Sequence, residues 1–336
     1  MSLIYRMREN QPSLTHAVCD YYGEIAPFAR RIGRKRFAVP LILLKSIEWG
    51  IYRWYKTPIR RFYGVKGNEL IYMITRRCSD ECAKCGIWKN PESDSEHLPI
   101  TDFINFLNRL HENLYQVTLT GGEPLMYLDD VLQIAEEAKK LNVPMIVVTN
   151  GALITEVFLK KYAGLGHILV ISLDTLDKGK WSEFRGRNHY ELVMSNILLA
   201  RTVLGRNLRI QSVLAQETQI DVQQVRDFCD KYSIPHVIQP YMDFGGCWHG
   251  ADDGRATGGT CAARKNICIY PNGDVVKCFD HRRIPLAKEP LGNIANEDIV
   301  SILCKKRSTE VSKLMKNCTF PCKQLSCNIP TAIYNP

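Results

Sequence analysis

The chain has 336 residues, of which 45% are apolar, enough for one large domain, or one domain with an appendage, around a sizeable core. Thirteen cysteines are an odd count, and Met1–Arg6 does not lead into an uninterrupted apolar run. Both disfavour a secreted disulfide framework and lead us to expect a cytoplasmic protein with metal-ligating thiols. The net charge of +9 is local: residues 30–66 carry eleven Lys/Arg against the single acid Glu48, so the rest of the chain sums to about zero and its basicity says nothing of the remainder.

In chain order, residues 1–29 show no clear period. Residues 30–66 combine arginines with Trp49, Tyr52, Trp54 and Tyr55, between Pro40 and Pro58. The segment reads as a helix packed on the main domain, as an interfacial amphipathic helix in peripheral contact with a membrane, or as a contact for a partner or leader peptide. It is too short and too charged to span a bilayer, and it brings no recognisable nucleic-acid module. Residues 1–67 are therefore expected to form a basic, aromatic-rich N-terminal extension.

From residue 70 strands and helices alternate. Strands are predicted at 70–75, 115–120, 144–149, 167–173, 208–215 and 234–240. Helices are predicted at 100–110, 128–141, 153–162, 190–203 and 221–232, the last with Asp221 as its cap. This order predicts a parallel sheet covered by helices, a partial (β/α)6 barrel over residues 68–242, with functional residues at the C-terminal ends of the strands. After about residue 242 the regularity fails, and residues 243–336 are expected to form a small cysteine-rich domain held by metal instead of a hydrophobic core.

The first predicted strand runs straight into Cys78-Ser-Asp-Glu-Cys82-Ala-Lys-Cys85. Three thiolates can hold three irons of a [4Fe–4S] cube and leave the fourth open, or share a distant fourth ligand. The second strand ends in Gly121-Gly122-Glu123-Pro124, whose glycines permit close backbone approach to a ligand. Together these motifs resemble the radical S-adenosylmethionine (SAM) superfamily, and the tail resembles its members with a C-terminal SPASM or twitch auxiliary iron–sulfur region.

The resemblance implies that Cys78, Cys82 and Cys85 ligate a [4Fe–4S] cluster whose open iron chelates SAM. It implies reductive cleavage of SAM to a 5′-deoxyadenosyl radical that abstracts hydrogen from a substrate. The turn at Gly121, Gly122, Glu123 and Pro124 would receive the methionine amino group. Asn150 would touch the ribose. Ser172 and Asp174, two apart on one strand face, would line the cavity, unless they only cap the strand end. Arg185 would pair with the SAM carboxylate or form a surface salt bridge, and Gln239 could face the same cavity. One departure is Lys84, where the family often has an aromatic or apolar residue over the adenine, a role that would pass to Ile87 or Trp88.

In the tail, Asn272-Gly273 signals a tight hairpin that brings Cys261 near Cys278. Cys318, Cys322 and Cys327 would return to that site, giving at least one auxiliary [4Fe–4S] cluster. Cys268 or Cys247 could enlarge the set to two clusters, and a zinc knuckle is the alternative. Cys19, Cys229 and Cys304 read as ordinary thiols. The expected partners are a reductant such as flavodoxin or ferredoxin and a peptide or small-molecule substrate. A lipid or isoprenoid substrate at the membrane surface, and a non-catalytic iron–sulfur or electron-transfer role, are the competing functions.

Overall fold

Alternation of side chains along extended backbone gives each strand two faces, and both are used. The computed structural model describes residues 68–242, 244–249, 266–279 and 289–316, all within the unit Gly67–Pro336. The N-terminal extension, with its basic segment 30–66, and Cys19, Cys261, Cys318, Cys322 and Cys327 lie outside the described residues.

The strands are β1 (Asn68–Thr75), β2 (Leu114–Gly121), β3 (Met145–Thr149), β4 (Ile168–Ser172), β5 (Leu208–Leu214) and β6 (His236–Pro240). They pair in parallel in the order 6-5-4-3-2-1. Between them run α1 (Ile100–Leu110), α2 (Leu128–Lys140), α3 (Glu156–Ala163), α4 (Lys178–Arg185), α5 (Tyr190–Leu204) and α6 (Gln219–Lys231). This is the partial (β/α)6 barrel expected from the alternation. Leu70, Tyr72 and Ile74 of β1 and Val117 and Leu119 of β2 are buried on one face, where Tyr72 stacks on Phe103 of α1 with ring centroids 4.1 Å apart. Ile71, Met73, Thr118, Thr120, Val148, Gln211 and Val213 take the opposite face and line a cavity inside the barrel.

Helix α4 is absent from the sequence expectation because it is short and polar. Its ends are nonetheless written in the chain: Asp177 accepts from Gly179 N at 2.7 Å, and Gly186 closes the helix at φ 69°. Asp221 does not cap α6 as expected. The helix starts two residues earlier, and Asp221 is buried in its first turn, accepting from Thr175 Oγ1 at 2.6 Å and Lys180 Nζ at 2.9 Å. A tertiary partner, not the helix end, takes its carboxylate.

The tail adds β7 (Ile267–Ile269), β8 (Asp274–Val276), β9 (Gly292–Asn293), α7 (Ile299–Cys304) and α8 (Lys306–Lys316). β7 pairs in parallel with β1, so the hairpin extends the barrel sheet from its first strand. Gly273 turns the hairpin at φ 86°, as the Asn-Gly pair predicts. The expectation of a coreless tail is corrected: Ile267, Ile269, Val275, Leu291, Ile299, Ile302, Val311 and Met315 are buried. Its apolar residues are spread over short elements, too short for a period to show. Among the described residues no helix is long and apolar enough to cross a membrane.

Leu119 is fully buried between sheet and helices. Leu119→Ala is expected to cost about 2–5 kcal/mol, read as a lower urea midpoint with an unchanged slope.

Candidate functional site

The cysteine loop follows β1 and has almost no regular structure of its own, so its backbone is fixed by neighbours. Gly122 N donates to Thr75 O at 2.7 Å and Glu123 N to Arg77 O at 2.8 Å, which staples the second strand's turn onto the loop entrance. A Cβ on Gly122 would sit 2.0 Å from Arg77 O, and Gly121 has φ 147°, so both glycines are required there. Glu92, buried, accepts from Arg76 N at 2.7 Å and from Thr75 Oγ1. Glu81 N and Ala83 N each donate at 3.0 Å to the last carbonyls of α4, Arg185 O and Phe184 O. From the far side, Gly86 N donates to Phe244 O at 3.1 Å and Cys247 N to Ala83 O at 2.9 Å. The segment 244–249 therefore lies as a strap across residues 83–86. A Cβ on Gly246 would fall 2.1 Å from Lys84 C, so the crossing needs glycine.

This clamping brings Cys78, Cys82 and Cys85 to the wall of one cavity of about 280 Å³. Asn150 joins them, its Nδ2 donating to Ser79 Oγ at 2.8 Å and lying 4.0 Å from Cys78 Sγ. Asp80 N donates to Cys78 Sγ at 3.4 Å, and Trp88 Nε1 to Cys82 O at 3.4 Å. Burial pushes the Cys78 thiol up to about 12 and raises Cys82 and Cys85 as well. Cys82 is buried and Cys78 and Cys85 are half-buried, and positive charge supplied among them, as by a metal centre, would favour their thiolate forms. Among the described residues no three His, Cys, Asp or Glu side chains converge on a single ion. A cube takes one cysteine per iron and does not need such convergence, and the three thiols on one cavity wall supply three such ligands.

Around Cys82 stands a buried charge network. Asp174 accepts from Val213 N at 2.9 Å, pairs with Lys84 Nζ, and lies 3.3 Å from Arg185 Nη2. Arg185 donates to Ser172 O at 2.6 Å, faces Asp80 Oδ2 at 3.8 Å, and lies 5.4 Å from the Trp181 ring centre. His189 Nε2 lies 3.2 Å from Asp80 Oδ1. Burial alone would raise the Asp174 carboxyl, but Lys84 and then Arg185 outweigh it and hold it below the ordinary range.

Residues 72–229 match the family model described as the Radical SAM superfamily. That stretch is a radical SAM domain. A GTP 3′,8-cyclase of Aliarcobacter butzleri is 31% identical over 178 residues, 50% of this chain and 53% of that protein. Molybdenum cofactor biosynthesis protein 1 of Drosophila melanogaster is 29% identical over 203 residues, 57% of this chain and 35% of that protein. The chain thus spans about half or less of the length of these curated relatives. Among solved structures, Streptococcus suis SuiB bound to S-adenosylmethionine superposes with TM-score 0.64 at 16% identity, covering 86% of this chain and 79% of its own. The protein anSMEcpe with bound AdoMet and a Cp18Cys peptide gives 0.55 at 18% identity, covering 74% and 82%. At these identities the superpositions speak for the fold.

In this radical SAM barrel the structure gathers Gly121, Gly122, Asn150, Ser172 and Arg185 with the three cysteines around the cavity, along with Ile87, Trp88 and Gln239. Glu123, Pro124 and Asp174 lie behind that wall. The Glu123 carboxylate, wholly buried, accepts from Asn150 N at 2.7 Å, Thr149 Oγ1 at 2.8 Å and Leu125 N at 2.9 Å. It ties the β2 turn to the end of β3. Arg185 is likewise engaged within the protein. Cys278 follows β8 and is half-buried, whereas Cys268 is buried in β7 with its thiol on Lys277 O at 3.7 Å. Cys247 lies on the strap against Ala83, and Cys229 is fully buried in α6.

The sequence reading missed Asp80, His189, Trp181, Trp248 and the strap. Asp80 lies inside the cysteine motif, and Gly245-Gly246 ahead of Trp248 hinted at a tight crossing; the remaining two meet the site only through the fold.

Burial, against three donors that favour the ionised form, lifts Glu123 from 4.5 to about 7. An acid raised on folding stabilises the fold fully below its unfolded value, and that stability is lost as pH rises through the folded value. Wild-type stability is therefore expected to fall, relative to Glu123→Gln, by up to about 3 kcal/mol between pH 4.5 and 7. Parallel urea titrations across that range check it.

Proposed function

We propose that the protein is a radical SAM enzyme that reductively cleaves SAM and uses the 5′-deoxyadenosyl radical to abstract hydrogen from a peptide or from a small-molecule or cofactor precursor. The observation that carries this reading is the convergence of Cys78, Cys82 and Cys85 with the Gly121–Gly122 turn and Asn150 on one cavity wall at the barrel mouth. When bound at the three thiolates, a [4Fe–4S] cluster supplies the electron for cleavage and an open iron for SAM. The chain's own residues do the rest. Gly121 and Gly122 leave backbone exposed for a ligand to approach, Glu123 holds that turn against β3, and Asn150 aligns Ser79 and Cys78. Ser172 and Arg185 face the adjoining wall.

A second cavity of about 430 Å³ shares Met73, Ile87, Phe244 and Phe279 with the first and is lined further by Arg76, Asn90, Asn272 and Asp274. It adds room beside the first cavity for a substrate larger than a metabolite fragment, lined by groups of both charges. This supports a peptide or a nucleotide-sized molecule, in keeping with the Cp18Cys peptide and the GTP named for proteins it resembles. Cys278, with Cys261, Cys318, Cys322 and Cys327, is proposed to hold an auxiliary [4Fe–4S] cluster in a SPASM- or twitch-like domain spanning residues 243–336. A flavodoxin or ferredoxin is the proposed reductant, and the cytoplasm the proposed compartment.

Full-length protein, reconstituted anaerobically and reduced with SAM, is expected to form 5′-deoxyadenosine, and Cys78→Ala to reduce that product to background. Absence of the product from the reconstituted wild type, with candidate peptides and nucleotides supplied, would overturn the assignment. The Cys78/Cys82/Cys85 triple alanine variant is expected to retain about four irons if one auxiliary [4Fe–4S] cluster is present; retention of about eight would mean two.

A further inference from the structure

Lys84 occupies the position between Ala83 and Cys85, inside the cysteine loop, and lines the cavity with Cys85. Its ammonium pairs with Asp174 at the end of β4 and stands 5.6 Å from the Trp248 ring centre on the strap. One side chain thus joins the cluster loop to β4 and to residues 244–249. Asp174 and Arg185 are almost wholly buried, as is Asp80. Lys84 itself is only 15% exposed. The four form a set of two cations and two anions packed against Cys82, whose Sγ lies 4.0 Å from Asp80 Oδ2.

We propose that Lys84 is a positioning residue that sets the reduction potential of the centre held by Cys78, Cys82 and Cys85, by completing an electroneutral quartet with Asp80, Arg185 and Asp174. The inference rests on the function proposed above. Its physics is simple. Net charge close to a cluster, in a site with little water, shifts the ease of adding an electron. Removing the Lys84 ammonium takes one positive charge from beside the cluster while both carboxylates stay, and reduction becomes harder. Removing the Asp174 carboxylate leaves a surplus positive charge, and reduction becomes easier. A residue that only packed the loop would not produce shifts of opposite sign at the two ends of one ion pair. His189 also faces Asp80, and it is present in every variant below.

The experiment is a potentiometric titration of the reconstituted full chain without SAM, following the electron paramagnetic resonance signal that Cys78→Ala removes. In Lys84→Met the reduced-to-oxidised ratio at a fixed potential is expected to fall about tenfold, a midpoint about 59 mV more negative for a one-electron couple. Lys84→Arg, which keeps the charge, is expected to stay within about twofold of wild type, and Asp174→Asn to move the ratio upward. Ratios for Lys84→Met and Asp174→Asn both within about twofold of wild type, or shifted in the same direction, would overturn the proposal. If Lys84→Met shows no signal of the kind that Cys78→Ala removes, Asp174→Asn decides: an unchanged or lowered ratio overturns the proposal. If the wild type itself shows no signal that Cys78→Ala removes, the assignment of the cluster to the three cysteines fails first, and this inference falls with it.

Discussion

Three thiols must be held at fixed places by a loop that cannot hold itself. Residues 78–86 form no helix or strand that would satisfy their own backbone groups, and a buried amide without a partner is costly. The fold answers by lending the loop three foreign edges. The glycine turn after β2 takes the entrance, the last turn of α4 takes the middle, and the strap at 244–249 takes the exit. Each edge needs a glycine where it crosses: Gly122 against Arg77, Gly186 against Glu81, Gly246 against Lys84. The cysteine loop is therefore held by edges that come from three separate parts of the fold.

The electrostatics follow from the same burial. Thiols, carboxylates and a guanidinium taken out of water are stable only when charge is balanced and hydrogen bonds are complete. Asp174 gathers Lys84, Arg185 and Val213 N; Arg185 gathers Ser172 O and Asp80. The polar residues at the strand ends thus divide into two groups. Those facing the cavity, such as Ser172 and Asn150, can meet a ligand. Those behind it, such as Glu123 and Asp174, hold the ligand-facing groups in place.

Much of the fold was legible because its period is long and regular. The six strands and the longer helices fall within a few residues of where apolar periodicity places them, and Asn272-Gly273 makes the hairpin it signals. What could not be read was short or non-local. Helix α4 is eight residues of mostly polar chain, and Asp221 looks like a cap until Lys180 and Thr175 arrive from another part of the fold. The tail's apolar residues make a core only after five short elements assemble.

The sequence by itself determined the chemistry on offer: a C-x3-C-x2-C trio directly after a strand, a Gly-Gly-Glu-Pro turn one unit later, and the alternation that brings both to one end of a barrel. These are properties of spacing, and spacing is local. Only the tertiary structure decided what surrounds the trio. Lys84 and Asp174 are 90 residues apart, and Lys84 and Trp248 further still, yet they meet beside Cys82. No pattern along the chain encodes such a meeting, because it depends on how β4, α4 and the strap are stacked against the loop by the packed sheet beneath them.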